Sequence, residues 1–283
     1  MNIRTVRKKI KSVGNVKKIT KAMQMVSAIK MKKSQAEAIE SAPYRTHLAN
    51  IIYKAMSSVD SGYSPLIENK KAKDRSLYII ISSNKGLCGS FNFNLFKYLN
   101  KNIDFKNNDF ITYGKKASSF IAKMGGKIIS DFSDQSVAVV VSPIFSECLA
   151  RFLAGDYQKV MIVYNKFIST LKSETVETVL LPSAINEIKQ DIKETPSEYL
   201  IEPNAKDIVD AVLRSLVEEK IRGALIESQA SEHSFRMMAM KNATDNATDV
   251  IYNLTLLRNR IRQEKITYEL LDMITAKESV ESN

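Results

Sequence analysis

The chain of 283 residues contains no tryptophan, two cysteines, two histidines and six prolines. Each shortage excludes something. Cys88 and Cys148 cannot form a disulfide framework, and they fit a reducing compartment. His47 and His233 lie far apart, so no closely spaced ligand pair exists for a Cys/His zinc site. Both histidines also lie outside the segment that holds Cys88, which leaves that thiol without an activating base. No apolar run approaches the roughly twenty residues of a membrane-spanning helix. No apolar h-region marks a signal peptide. The loop Ser82-Ser83-Asn84-Lys85-Gly86-Leu87-Cys88-Gly89 lacks both the G-x-G-x-x-G and the G-x-x-x-x-G-K-[ST] phosphate-binding patterns. No catalytic, cofactor-binding or metal-binding residue is therefore predicted.

Acidic residues are missing from positions 1–36, which hold eleven basic ones, from Arg4 to Lys33. Of the 42 basic residues in the chain 31 remain elsewhere, matching the 31 acidic ones, so the whole net charge of +11 sits on this first segment. Such a segment suits an acidic surface or a negatively lined cavity. It resembles neither an Arg- and Ser-rich transit peptide nor a nucleic-acid arm, because no aromatic residue interleaves the charges before Tyr44. No nucleic-acid partner is expected.

Proline and glycine are also scarce at the two ends. From Asn204 to about Ala276 the only helix-weak glycine is Gly223, which predicts a helix on the order of 105 Å long. A helix of that length protrudes or packs against something equally long. Met240, Ala243, Ala247, Val250, Leu254, Leu257 and Ile261 alternate spacings of three and four, the seam of a coiled coil. Past Ile261 the phase breaks, with Lys265 on the next seam position and Leu270, Met273 and Ile274 forming a last apolar turn. Residues 3–40 also read as helix, with Ile3, Val6, Ile10, Val13, Val16, Ile19, Met23 and Val26 as its apolar stripe. Pro43 is expected to kink or restart that helix, which continues to Met56. Val13, Val16 and Met23 are expected to face Val250, Leu254 and Leu257, antiparallel. The last apolar turn is expected to lie beyond the end of the first helix.

Between the ends, Ser57 to Arg75 reads as a linker, and the texture then alternates. Strands are predicted at Leu77–Ser82, Asp109–Tyr113, Lys127–Phe132, Val160–Asn165 and Thr175–Leu181, and helices at Asn94–Asn102, Lys115–Met124 and Pro143–Leu153. Val137–Val141 fits a strand or a helix start. The last two strands lack an intervening helix and can pair antiparallel. The fold class is thus α/β: a long antiparallel coiled coil of N- and C-terminal helices, with an inserted, mostly parallel sheet covered by helices. The corresponding domains are a shaft of residues 1–58 with 204–283 and a sheet domain of 75–200.

Several stretches carry a resemblance. They are Ile19-Thr20-Lys21-Ala22-Met23-Gln24-Met25-Val26, Gly86-Leu87-Cys88-Gly89, Tyr164-Asn165-Lys166-Phe167, Ser231-Glu232-His233, Arg236-Met237, Asn242-Ala243-Thr244, Arg262-Gln263 and Glu269-Leu270. The chain resembles, end to end, the gamma subunit of F-type ATP synthase. It departs from that family at Glu264, where a small residue is usual, and in its charged tail Lys277-Glu278-Ser279-Val280-Glu281. The resemblance implies a non-catalytic rotor shaft that couples proton flow to ATP synthesis and regulates ATPase activity and proton flow. The partners it implies are the alpha and beta subunits of the catalytic ring, the epsilon subunit and the c-subunit ring. Membrane association would come only through that complex, on the cytoplasmic face of a bacterial inner membrane. By resemblance, Met23, Arg236, Arg262, Gln263, Thr267 and Glu269 are ring contacts, and Leu270, Met273 and Ile274 are a tip bearing.

Overall fold

The computed structural model describes residues 2–56, 66–67, 75–183 and 205–281. The first helix, α1, spans Ile3–Met56. Pro43 lies inside it without ending it. The carbonyl that Pro43 leaves unbonded is that of Ile39, on an exposed part of the helix where water can satisfy it. Strand β1 (Ser76–Ile81), helix α2 (Phe91–Asn102), β2 (Asp109–Tyr113), α3 (Lys115–Lys123) and β3 (Lys127–Asp131) follow. Then come α4 (Val137–Leu153), β4 (Lys159–Ser169), β5 (Lys172–Leu181) and the last helix, α5 (Ala205–Glu281).

The run Val137–Val141 is the first turn and a half of α4. Five residues with four β-branched valines have strand propensity, but burial decides otherwise. Val140, Val141, Ile144, Cys148, Leu149 and Phe152 face inward at a helical period. Pro143 is accommodated because the carbonyl four residues earlier belongs to exposed Val139.

The sheet order is β3-β2-β1-β4-β5, parallel except for the antiparallel β4–β5 pair. Strand β1 alternates its side chains between two cores. Leu77, Ile79 and Ile81 join Val140, Ile144 and Phe152 of α4. Ile80 joins Leu95 and Leu99 of α2 and Ala117 and Ile121 of α3. Both faces of the sheet are thereby covered. The first core also takes Leu48, Ala49 and Ile52 from α1 and Val209, Leu213, Leu216, Val217, Ile221 and Leu225 from α5. Leu66, in the expected linker, is an anchor of this core, and its carbonyl accepts a hydrogen bond from Ser183 N at 2.8 Å. The rest of that linker, apart from Ile67 and Arg75, lies outside the described residues.

Packing divides the chain into two compact units, Met1–Ser27 with Met237–Asn283 and Ala28–Arg236. The division does not fall at 58 and 204. The second part of α1 and the first part of α5 bury their apolar faces in the sheet's own core, and core contacts set a compact unit.

In the first unit the two helices run antiparallel. Thr20 Oγ1 and Thr244 Oγ1 are hydrogen-bonded at 2.8 Å, and Asn2 to Arg7 flank Ile261 to Asp272. The N-terminal helix therefore reaches further along α5 than expected, and only Met273 and Ile274 of the last apolar turn lie past it. The inward positions of α1 are Ile3, Val6, Ile10, Val13, Lys17, Thr20, Gln24 and Ser27, an unbroken alternation of three and four. Those of α5 are Met240, Thr244, Ala247, Ile251, Leu254, Arg258 and Ile261. The expected seam shares Met240, Ala247, Leu254 and Ile261 but differs at each alternate step. Val16 is 50% exposed, Val250 45% exposed, and Leu257 is exposed as well. Met23 is only part-buried.

Two heptad phases share half their positions, so apolarity alone selects the wrong one where the seam is polar. The polar seam is stable because its hydroxyls are paired. Each of Thr20 and Thr244 also reaches a carbonyl of its own helix, Lys17 O at 3.1 Å and Met240 O at 2.8 Å. One hydroxyl therefore donates across the seam while the other donates back to its own turn.

This register predicts that Thr20→Cys with Thr244→Cys forms a disulfide under mild oxidation. Ile19→Cys with Thr244→Cys does not, because Ile19 points away from the seam. Non-reducing electrophoresis after proteolysis between the helices separates the two outcomes.

Candidate functional site

Doubly wound sheets bind ligands outside the carboxyl ends of their strands, where the strand order reverses. Here that point lies between β1 and β4, beside a cavity of about 920 Å³ that Ser82, Asn84, Lys85 and Tyr113 line together with Glu232, His233 and Arg236 of α5.

The loop after β1 is built tightly. Ser82 N donates to Tyr113 O at 2.8 Å, and Ser82 Oγ accepts from Ala117 N at 2.8 Å while donating to Gly114 O at 3.0 Å. Gly114 has φ +103°, and a Cβ there would strike the Ser82 carbonyl, so this approach requires glycine. Next, Asn92 at the start of α2 reaches back into the loop. Its Nδ2 donates to Ser83 Oγ at 2.8 Å and to Cys88 Sγ at 3.2 Å. Cys88 is buried and serves as an acceptor in this network, as a structural thiol does. Leu87 and Gly89 adopt positive φ, and the carbonyls of Lys85 and Gly86 before them face α5.

Those carbonyls receive Arg236. Arg236 is 8% exposed. Its Nη2 lies 3.3 Å from Lys85 O, 3.4 Å from Gly86 O and 2.7 Å from Glu232 Oε1, and its Nη1 is 3.4 Å from His233 Nδ1. One turn of α5 thus grips the loop. Around it, Ser234 Oγ donates to Thr170 O at the β4–β5 turn, at 2.5 Å. Phe235 packs on Phe91 with ring centroids 6.3 Å apart. Asn165 completes the joint from β4, donating to Phe91 O at 2.8 Å and accepting from Thr175 Oγ1 at 2.6 Å.

Two ionisable groups here carry the mark of burial. Loss of water pushes the Glu232 carboxyl up, and the neighbouring Arg236 charge opposes this without cancelling it. His233 is driven down to about 4, first by burial and then by the positive charges of Arg236 and Lys30. A neutral His233 can accept from Arg236 through Nδ1, which a protonated ring cannot.

The residues expected as ring contacts separate into two groups. Arg236 does not face outward; it is buried in the clamp just described. Arg262, Gln263, Thr267 and Glu269 are exposed along α5 within the other unit, as are Leu270, Met273 and Ile274. Glu269 pairs with Lys265 at 3.2 Å, and Thr267 Oγ1 donates to Gln263 O at 3.0 Å. Sequence reasoning had the two motifs that meet in the clamp, Gly86-Leu87-Cys88-Gly89 and Ser231-Glu232-His233 with Arg236. It did not join them, because the contact spans about 150 residues of chain. Pairing a buried-period arginine with a glycine-rich turn is the one signal that could have done so.

Stability should follow the His233 titration. The unfolded ring takes a proton near its ordinary value of 6.5, the folded ring only near 4. Between these pH values the unfolded chain binds more protons, so stability is lost as pH falls from 6.5 to about 4. His233→Gln removes this contribution. Thermal midpoints at pH 7 and pH 5 should therefore differ by several degrees less in the variant than in the unsubstituted chain.

The family profile described as ATP synthase matches residues 2–280. The ATP synthase gamma chain of Geobacter sp. strain M21 is 35% identical over 290 residues, covering 99% of both chains. That of Akkermansia muciniphila is 34% identical over 291 residues, again covering 99% of both. Among solved structures, a chain of the Euglena gracilis mitochondrial ATP synthase (OSCP/F1/c-ring, rotational state 3) superposes with a TM-score of 0.68 at 19% identity. That match covers 99% of this chain and 95% of the other. A chain of the Tetrahymena thermophila mitochondrial ATP synthase central stalk and c-ring gives 0.59 at 23% identity, covering 80% and 99%. Those two likenesses speak for the fold, and the sequence matches for the kinship: the chain belongs to the ATP synthase gamma chain family.

Proposed function

We propose that this chain is the central rotor shaft of an F-type ATP synthase, a subunit that carries torque and supplies no catalytic group. The observation that carries the reading is the match to gamma chains along 99% of the length, helices and sheet domain alike. The geometry is in keeping with it. The buried polar groups of the sheet's switch point are spent on holding α5, and Cys148 is buried with its thiol pushed far up by loss of water.

In this reading the helix pair of residues 1–27 and 237–283 stands inside a ring of alpha and beta subunits. The exposed Val16, Ile19, Val26, Val250 and Leu257 then meet the ring, as do Met23, Arg262, Gln263, Thr267 and Glu269. Leu270, Met273 and Ile274 form the tip bearing. The sheet domain meets the epsilon subunit and the c-subunit ring. No described helix is long and apolar enough to cross a membrane. Attachment at the cytoplasmic face of a bacterial inner membrane would then be through the complex. The functional division into a shaft of 1–58 with 204–283 and a domain of 75–200 belongs to this reading too. Lysines of the first helix face acidic groups of the ring through exposed pairs of about 0–1 kcal/mol each, weak enough to let the shaft turn.

Mixing the chain with alpha and beta subunits should yield a stoichiometric ATPase. A probe fixed to the sheet domain should then turn in one direction as ATP is hydrolysed. Absence of the complex, or a stationary probe during hydrolysis, overturns the reading. Within the complex, removing residues 276–283 should leave turnover nearly unchanged, because the polar tail buries little area. Arg262→Ala with Gln263→Ala should lower ATP-driven proton pumping by about tenfold, the effect of losing one charge-assisted hydrogen bond of roughly 1.5–3 kcal/mol. Pumping into sealed vesicles compares the two.

A further inference from the structure

We propose that the Arg236 clamp is the joint through which torque passes between α5 and the sheet domain, an inference that rests on the rotor reading above. A helix lying on a sheet through apolar contacts alone resists separation well but resists twisting poorly, because such contacts have no direction. Twist about the helix axis is resisted by bonds that reach sideways from the helix to fixed points.

On α5, Glu218 accepts from Ser142 of α4 and Glu227 from Tyr164 of β4, and the turn around Arg236 adds two further points. Arg236 sends one nitrogen to two successive carbonyls of the loop after β1. Ser234, two residues earlier and on another side of α5, donates to Thr170 O at the turn between β4 and β5. The two bonds leave the same helical turn toward different strands, so rotation of α5 in either sense must break one of them. Glu232 pairs with Arg236 at 2.7 Å and fixes the guanidinium plane. On the sheet side the anchors are themselves held. Asn92 and Ser83 bind the loop, and the Gly114 turn sits against Ser82. The groups facing the guanidinium are Glu232, His233 and the two carbonyls, with Lys30 of α1 close enough to depress His233. Arg236 lies in the wall of the cavity at the strand ends, the place where doubly wound sheets hold their ligands. Arg236 thus acts as a positioning residue.

Lysine at 236 keeps the charge, but its shorter chain carries no second nitrogen to meet His233 Nδ1 while the first holds the loop carbonyls and Glu232. The test is Arg236→Lys in the assembled complex, with three measurements. Hydrogen exchange of the Lys85–Gly89 amides should rise by about tenfold, reflecting a loosened loop. ATP hydrolysis and the thermal midpoint should stay close to those of the unsubstituted complex. Proton pumping at equal hydrolysis should fall, because twist is lost in the joint. Faster loop exchange with unchanged pumping overturns the proposal, and so does unchanged loop exchange. If Arg236→Lys fails to assemble, Ser234→Ala is read the same way, with exchange followed at the Ser169–Lys172 turn. An unsubstituted complex that neither hydrolyses ATP nor turns would overturn the rotor reading itself, a result separate from any effect at position 236.

Discussion

Arg236 is a full charge that the fold withdraws from water, and the sheet domain is arranged to make that tolerable. Taking an ion into the interior costs several kcal/mol even after relaxation, and the ion pair with Glu232 returns only part of it. The upward push on the Glu232 carboxyl expresses the same imbalance from the other side, since burial outweighs its partner's charge. What remains is satisfied by the carbonyls of Lys85 and Gly86. The Asn92 brace and the glycine at 114 hold the loop that presents them. Such a cluster is a poor way to gain stability and a good way to fix a position. A hydrophobic replacement of similar volume could pack as well but would remove the bonds to the loop that oppose rolling of α5.

Away from the clamp, a different rule holds the helices together. In the unit formed by Met1–Ser27 and Met237–Asn283, the inward line on α1 passes through buried Thr20 and Ser27 and part-buried Lys17 and Gln24. Small and polar seam residues bring helix axes close and give register through paired hydroxyls, at some loss of apolar burial. The apolar residues one step away, Val16, Ile19 and Val26, are left at the surface. An isolated two-helix pair that exposes its better hydrophobic stripe is underfilled by its own standard. The stripe becomes intelligible if a surrounding protein surface supplies the remaining contacts, and that is the reading proposed for this family member.

The same residues explain what was legible in the sequence. Both long helices, the five strands and the antiparallel last pair follow from periodicity and from the scarcity of glycine and proline. These signals are local and strong. The seam phase was not legible at Thr244, Ile251 and Arg258, because the alternative at Ala243, Val250 and Leu257 is more apolar and shares every second position. Valines 137 to 141 were ambiguous because a short apolar run obeys either period, and only the inward residues further along α4 decide. Pro43 and Pro143 misled for a single reason. Proline breaks a helix when the freed carbonyl is buried, and in both cases it belongs to an exposed residue.

The candidate site was half legible, and the missing half is instructive. Arg236 was singled out by resemblance as a ring contact, and its surroundings in the sheet domain were not. Its true surroundings come from a loop about 150 residues away, and nothing in local pattern ties the two. A buried charge is a contradiction at the level of one helix, and it is resolved only at the level of the fold. Of the buried serines at 228, 231 and 234, Ser234 bonds across to Thr170 O, while Ser231 Oγ is without a hydrogen-bond partner. A serine bond on one side and an arginine bond on another thus combine with the apolar burial of α5. Stiffness in torsion follows from that combination, and apolar burial alone, however large, would not supply it.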